Sequence, residues 1–160
     1  MKKVILGATG SIGSSLAKKL VESGEQVHLV GRDEASLSEL ANELNSSFTT
    51  CDVLEENFSE KIINDLKDEQ VNGLAYCVGS IDLKPLKLTK KSDFMQSFNL
   101  NLVSATEIIR SLLLPFRHVR SLLTSTSHRP SYVYMFRRRP DNVYVHQLLY
   151  NDNRHSSCHC

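Results

Sequence analysis

The residues best placed to do chemistry come at the very start of the chain, in Gly7-Ala8-Thr9-Gly10-Ser11-Ile12-Gly13. Spaced glycines carry little meaning alone. They gain it when a strand precedes them and a helix follows. Val4-Ile5-Leu6 is a short apolar run of the kind found in buried parallel strands, and Ile12, Leu16, Leu20 and Val21 then recur at helical spacing. In that setting Gly7 permits a tight turn, Gly10 lets a pyrophosphate approach the backbone, and Gly13 lets the helix pack close to the sheet. The helix N-terminus offers N–H groups and the positive end of its dipole to the phosphates. Gly7, Thr9, Gly10, Ser11, Ile12 and Gly13 are therefore the candidates for holding a dinucleotide; the plainer alternative is a turn whose glycines serve packing only.

About twenty residues further on, where a second strand would meet an adenosine ribose, stands Gly31-Arg32-Asp33. An acidic side chain there binds the two ribose hydroxyls and favours NAD, whereas a guanidinium clamps a 2′-phosphate and favours NADP. Arg32 directly follows Gly31, so NADP is the favoured cofactor and NAD the alternative. The competing reading is a solvated Arg-Asp pair at a helix start, with Asp33 or its neighbour capping that helix.

These residues need a scaffold, and the pattern supplies one. Val27-His28-Leu29-Val30 reads as a second strand; Ala35, Leu37, Leu40, Ala41 and Leu44 mark a second helix. Residues 48–53 form a more polar third strand, Phe58, Ile62, Ile63 and Leu66 a third helix, and Leu74-Ala75-Tyr76-Cys77-Val78 a fourth strand ending at Gly79. Gly24 closes the first helix. Strand and helix alternating through short links predict a parallel sheet covered on both faces. Residues 92–114 read as one long or two abutting helices with Phe94, Phe98, Leu102, Ala105, Ile109 and Leu112 towards the core, ended by Pro115. Cys51 and Cys77 fall in buried strands and are expected to be free thiols.

Over residues 2–115 the chain resembles the short-chain dehydrogenase/reductase family. Cys51-Asp52-Val53 is similar to the family's Asp-hydrophobic pair after the third strand, so the resemblance gives Asp52 and Val53 to the adenine. Tyr76-Cys77-Val78-Gly79 stands where the family usually has Asn-Asn-Ala-Gly, and only Gly79 matches outright. Asn99-Leu100-Asn101-Leu102 resembles the family's Asn-Leu/Val segment, with Asn101 the better match to its catalytic asparagine; the alternative is an ordinary helix residue or local hydrogen-bonder. The fold implied is α/β, a Rossmann-like doubly wound parallel sheet. The activity implied is hydride transfer between a nicotinamide and a small carbonyl compound or alcohol. That chemistry uses a Tyr acid/base, a Lys four residues later and a carbonyl-polarising Ser. A phenol near its ordinary pKa of about 10 is a poor base at neutral pH, so the cation is essential.

Downstream the pattern breaks. No lysine occurs beyond Lys91, so no Tyr-x-x-x-Lys follows; Tyr134-Met135-Phe136-Arg137-Arg138 is the nearest imitation. Ser125 or Ser127, after a weak strand at 119–126, is where the family's Ser would fall. Composition breaks at the same place. Residues 1–115 hold 12 Lys and Arg against 16 Asp and Glu, net −4; residues 116–160 hold 7 Arg against 2 Asp, net +5. The overall +1 is thus a cancellation. Gly, Ala, Ile, Lys and Glu, 40 of the first 115 residues, are absent from the last 45, which carry five of the six His and four of the five Tyr. The expected organisation is a dinucleotide-binding domain at 1–115 and an anomalous basic tail at 116–160, truncating or frameshifting the catalytic half, so that the parallel sheet is incomplete on its C-terminal side.

The 160 residues, 41% hydrophobic and 23% charged, suit one globular domain. Near-neutral charge gives no reason to expect nucleic acid or an anionic membrane as partner. No apolar run approaches the roughly 18 residues needed to span a bilayer, and the start is too short in apolar residues for a signal peptide, so the cytoplasm is the expected location. His155-Ser156-Ser157-Cys158-His159-Cys160 has soft-metal donors but no second pair at finger spacing, and Arg137-Arg138-Arg139 reads as a solvated charge run before an RNA contact. No metal site is expected. The working expectation is an NADP-dependent oxidoreductase, impaired as written; the alternative is a non-catalytic dinucleotide-binding sensor or interaction module. The family's habit of assembling through helices such as the one holding Asn101 implies a homo-oligomer.

Overall fold

A computed structural model describes residues 1–66, 69–80, 83–113, 121–125, 132–139 and 142–149. Its sheet is ordered β3-β2-β1-β4-β5-β6-β7. The strands are β1 (Lys2–Leu6), β2 (Gln26–Gly31), β3 (Ser47–Thr50), β4 (Val71–Tyr76), β5 (Ser121–Ser125), β6 (Tyr132–Arg139) and β7 (Asn142–Leu149). β1 lies between β2 and β4, with Leu6 opposite Val30 on one side and Tyr76 on the other, both parallel. β3 pairs in parallel with β2, and β5 with β4. β6 runs antiparallel to β5, and β7 antiparallel to β6, so the parallel sheet ends at β5.

Both faces of the parallel sheet are covered. Side chains alternate between faces along a strand, and β1 shows it: Val4 and Leu6 join a cluster with Phe58, Ile62, Ile108 and Leu112, while Ile5 joins Leu29, Leu37, Leu40 and Ala17 on the other side. The first cluster lies under α3 (Phe58–Asp65) and α5 (Ser104–Leu113), the second under α1 (Ser11–Glu22) and α2 (Glu34–Leu44). This is the doubly wound arrangement expected. The end of α1 closes as its sequence suggests, with Gly24 N–H reaching the Val21 carbonyl and Glu25 N–H that of Leu20; α2 closes at Asn45, which at φ 48° takes the left-handed region.

One expectation is corrected. Residues 92–114 do not present a single apolar stripe to the core. They divide into α4 (Lys91–Phe98), a π turn (Asn99–Val103) and α5. Ala105, Ile109 and Leu112 are buried as expected, but Phe94, Phe98 and Leu102 are half exposed. The wide turn is the physical reason: winding at more than 3.6 residues per turn changes the phase, so a stripe laid out for an unbroken α-helix does not stay on one face. Among the described residues no helix is long and apolar enough to cross a membrane.

Candidate functional site

The carboxyl ends of the parallel strands open onto a cleft of about 380 Å³. Each strand contributes the segment that follows it: Gly7, Thr9 and Gly10 after β1, Gly31 and Arg32 at the end of β2, Cys51 to Leu54 after β3, and Cys77 to Ser80 after β4. Gln96 of α4 and Leu100 of the π turn complete the wall. A crevice outside the strand ends, where connections turn to opposite faces, is where doubly wound sheets take their ligands.

The β1–α1 turn is built for close approach. Gly7 adopts φ +74°, and a β-carbon there would come within 2.7 Å of the Cys77 carbonyl oxygen. A β-carbon on Gly13 would overlap the Gly7 carbonyl, so α1 sits directly on the turn only because that residue is glycine. The turn is pinned by Gly7 N–H and Ala8 N–H, both donating to the Val30 carbonyl, and by Gly10 N–H donating to Gly7. α1 begins at Gly10 with no side-chain cap and no acidic residue in its first turn. The N–H groups of Ser11, Ile12 and Gly13 therefore have no intrahelical acceptor and no competing carboxylate. That arrangement fits a phosphate group.

At the end of β2 the two charged neighbours separate in role. Asp33 Oδ1 accepts the Ser36 N–H at 2.7 Å and caps α2. Hydrogen bonds from Ser36 hold its carboxyl below the usual carboxylate range. Arg32 is exposed and lines the cleft. After β3, Asp52 folds its carboxylate back onto the Leu54 N–H at 2.9 Å, and Val53 is buried beside it. Cys51 and Cys77 are free thiols, as expected, and burial pushes each up to about 11, which keeps them protonated and unreactive.

On the far side, Asn101 does not line the cleft. Its amide holds both backbone polar groups of Ser80: Oδ1 accepts the Ser80 N–H at 3.3 Å and Nδ2 donates to the Ser80 carbonyl at 3.1 Å. Nδ2 also reaches the carbonyl and hydroxyl of Ser97 at 2.9 and 3.2 Å. Asn101 here orients the β4 loop.

Of the residues singled out from sequence, the cleft brings together Gly7, Thr9, Gly10, Arg32, Asp52, Val53 and Gly79. Ser11, Ile12 and Gly13 stand behind them in the first turn of α1, and Asn101 behind Ser80. Ser127 and the His155–Cys160 segment lie outside the described residues. The sequence reading missed Cys51, Cys77, Gln96 and Leu100 as wall residues. The first two flank motif positions and could have been found by adjacency; Gln96 and Leu100 reach the cleft only through the α4–π connection, which periodicity does not reveal.

The comparisons with known proteins agree with this layout. The sequence profile of the short chain dehydrogenases matches residues 2–120. L-fucose dehydrogenase of Oryctolagus cuniculus is 30% identical over 121 residues, covering 73% of this chain and 42% of that protein. An uncharacterized oxidoreductase of Staphylococcus epidermidis is 46% identical over 43 residues, 27% of this chain and 19% of that one. Among solved structures, a citronellol catabolism dehydrogenase of Pseudomonas aeruginosa superposes with TM-score 0.64 at 25% identity, covering 71% of this chain and 49% of the other. A short-chain dehydrogenase of Streptomyces avermitilis shares the fold, with TM-score 0.66 at 19% identity over 71% and 43% of the two chains. The chain spans less than half the length of each of these relatives. With the profile matched across most of its length and the strand order, glycine turn and cleft in agreement, the chain belongs to the short-chain dehydrogenase/reductase family.

Proposed function

We propose that this chain binds NADP in the cleft at the strand ends and derives from an oxidoreductase that transfers hydride between that cofactor and a small carbonyl compound or its alcohol. The observation that carries the cofactor choice is the division of labour after β2. Asp33 is committed to the α2 cap while Arg32 faces the cleft, so the group free to meet the ribose edge is a cation. When bound, the cofactor supplies the hydride. The chain's own residues bind and orient it: the first-turn N–H groups of α1 take the pyrophosphate, Arg32 the 2′-phosphate, and Asp52 and Val53 flank the adenine.

Titration with NADPH and NADH tests this directly. Arg32→Glu is expected to weaken NADPH roughly 10–100-fold, the worth of a charge-assisted contact, and to turn the preference towards NADH. An unchanged preference would remove Arg32 from the site.

The second reading, a non-catalytic dinucleotide sensor or interaction module, is favoured by one feature: the 160 residues contain no lysine beyond Lys91 and so no Tyr-x-x-x-Lys after the helix of Asn101. A panel of carbonyl substrates tests this: binding without turnover supports the sensor or an impaired enzyme, and turnover overturns both of these in favour of an active oxidoreductase. We further propose that residues 1–115 form the dinucleotide-binding unit and that residues 116–160 arise from a shifted reading frame near Pro115. Sequencing the locus decides it; an intact frame shared with near relatives would sink the idea.

A further inference from the structure

Tyr76 ends β4 where the family usually has asparagine, and it is among the largest side chains wholly enclosed in the core. Its phenol is not idle there. The hydroxyl donates to the Leu100 carbonyl at 2.6 Å. Leu100 lies in the π turn, and a second buried hydroxyl meets the same turn: Ser104 Oγ is 3.0 Å from the Asn99 carbonyl and 2.8 Å from that of Val53. Two hydroxyls thus join three backbone segments, the end of β4, the segment after β3 and the wide turn. Leu100, Val53 and Ser80 all line the cleft, and Ser80 is held by Asn101, the residue after Leu100.

We propose that Tyr76 is a positioning residue for the nucleotide cleft: its hydroxyl, backed by Ser104, fixes the π turn and thereby sets Asn101 against Ser80 and Leu100 against the wall. The proposal rests on the nucleotide-binding reading above. A π turn is an uncommon winding, found mostly as single turns inside α-helices and often at functional sites. Burial drives the phenol well above its ordinary value, so Tyr76 donates at every working pH. A phenylalanine would fill the same space yet leave the Leu100 carbonyl without that donor.

The test compares Tyr76→Phe with Ile108→Val, a core change in the same cluster that touches none of these hydrogen bonds. Two quantities are read: amide hydrogen exchange at Ser80 and at residues 99–104 in nucleotide-free protein, and NADPH affinity. Tyr76→Phe is expected to speed exchange at Ser80 about fivefold and to weaken NADPH by a similar factor, the worth of one buried hydrogen bond. Ile108→Val should lower the melting temperature and leave both readings near wild type. A Tyr76→Phe protein that matches Ile108→Val, or that exchanges faster with unchanged affinity, overturns the positioning role. Should wild type bind neither NADPH nor NADH, the nucleotide reading fails separately and exchange at Ser80 alone upholds or overturns the lock. Should Tyr76→Phe not fold, Ser104→Ala enters the same comparison with the same expected outcome.

Discussion

Lys2 Nζ donates to Ser47 Oγ at 2.9 Å and pairs with Glu69 at 2.8 Å, while Thr49 Oγ1 donates to Asp65 Oδ2 at 2.5 Å. Between the two hydroxyls sits the buried ring of His28, with Nδ1 2.8 Å from Ser47 Oγ and Nε2 2.9 Å from Thr49 Oγ1. Thr49 has spent its hydrogen on Asp65, so Nε2 carries the ring proton and Nδ1 accepts from Ser47; this tautomer is assigned from the network. Burial, then the charge of Lys2, lowers the His28 pKa to about 4, against the opposing pull of Asp65 and Glu69. The folded value lies below the unfolded one, so the unfolded chain takes up the proton first as pH falls. The stability this group contributes is complete above pH 6.5 and is lost on descending towards 4. The loss between pH 7 and 4.5 is expected to be roughly 2–3 kcal/mol. Urea unfolding of wild type and His28→Gln at the two pH values measures it as the difference between their losses, and equal losses would contradict it. The sequence showed His28 as one residue of an apolar strand, because strand periodicity does not name the cross-strand partners, Ser47 and Thr49, that satisfy its nitrogens.

Among the elements, α1 and α2 were legible because their end signals are local. Gly24 and Asp33 act within a turn of their own positions, so spacing alone finds them. Asp33→Ala is expected to lower the melting temperature by loss of the α2 cap while leaving NADPH affinity near wild type. A large drop in affinity would mean that the carboxylate faces the ligand after all. Gly13→Ala forces α1 off the turn, since the added methyl meets the Gly7 backbone. It is expected to cost about 1–3 kcal/mol of stability and to weaken NADPH more than the Asp33 change does. A wild-type melt for this variant would show that the turn yields freely. The helix after β4 was less legible. Its apolar residues obey a 3.6 period on paper, but Tyr76 and Ser104, from outside α4, hold the turn that breaks the phase. Those contacts span 24 residues in one case, a separation at which local pattern carries no signal.

For the molecule as a whole, parallel strand order from β1 to β5 follows from alternation and short links, and the cleft follows from that order. The antiparallel pairing of β6 and β7 went unread, although its signals were present: Pro140-Asp141 between the strands are turn formers, and a link so short has no room for a parallel crossover. Phe94, Met95, Phe98 and Leu102, in α4 and the π turn, are exposed apolar residues, and we propose that they meet a second copy of the chain. Phe98→Glu is then expected to shift sedimentation to the monomer without loss of helical signal; an unchanged species would place the contact elsewhere. The central position of β1 has a kinetic consequence as well. Leu6 must wait for Tyr76, and Gly7 for the Cys77 carbonyl it abuts, before the first seven residues are in place. During synthesis the β1–α1–β2 segment emerges early, yet its glycine turn lacks its β4 side until Cys77 has left the ribosome. Closure of that long-range parallel pair, slow because the intervening chain must be gathered first, means that the earliest-made part of the cleft takes its final shape only after residues made much later have joined it.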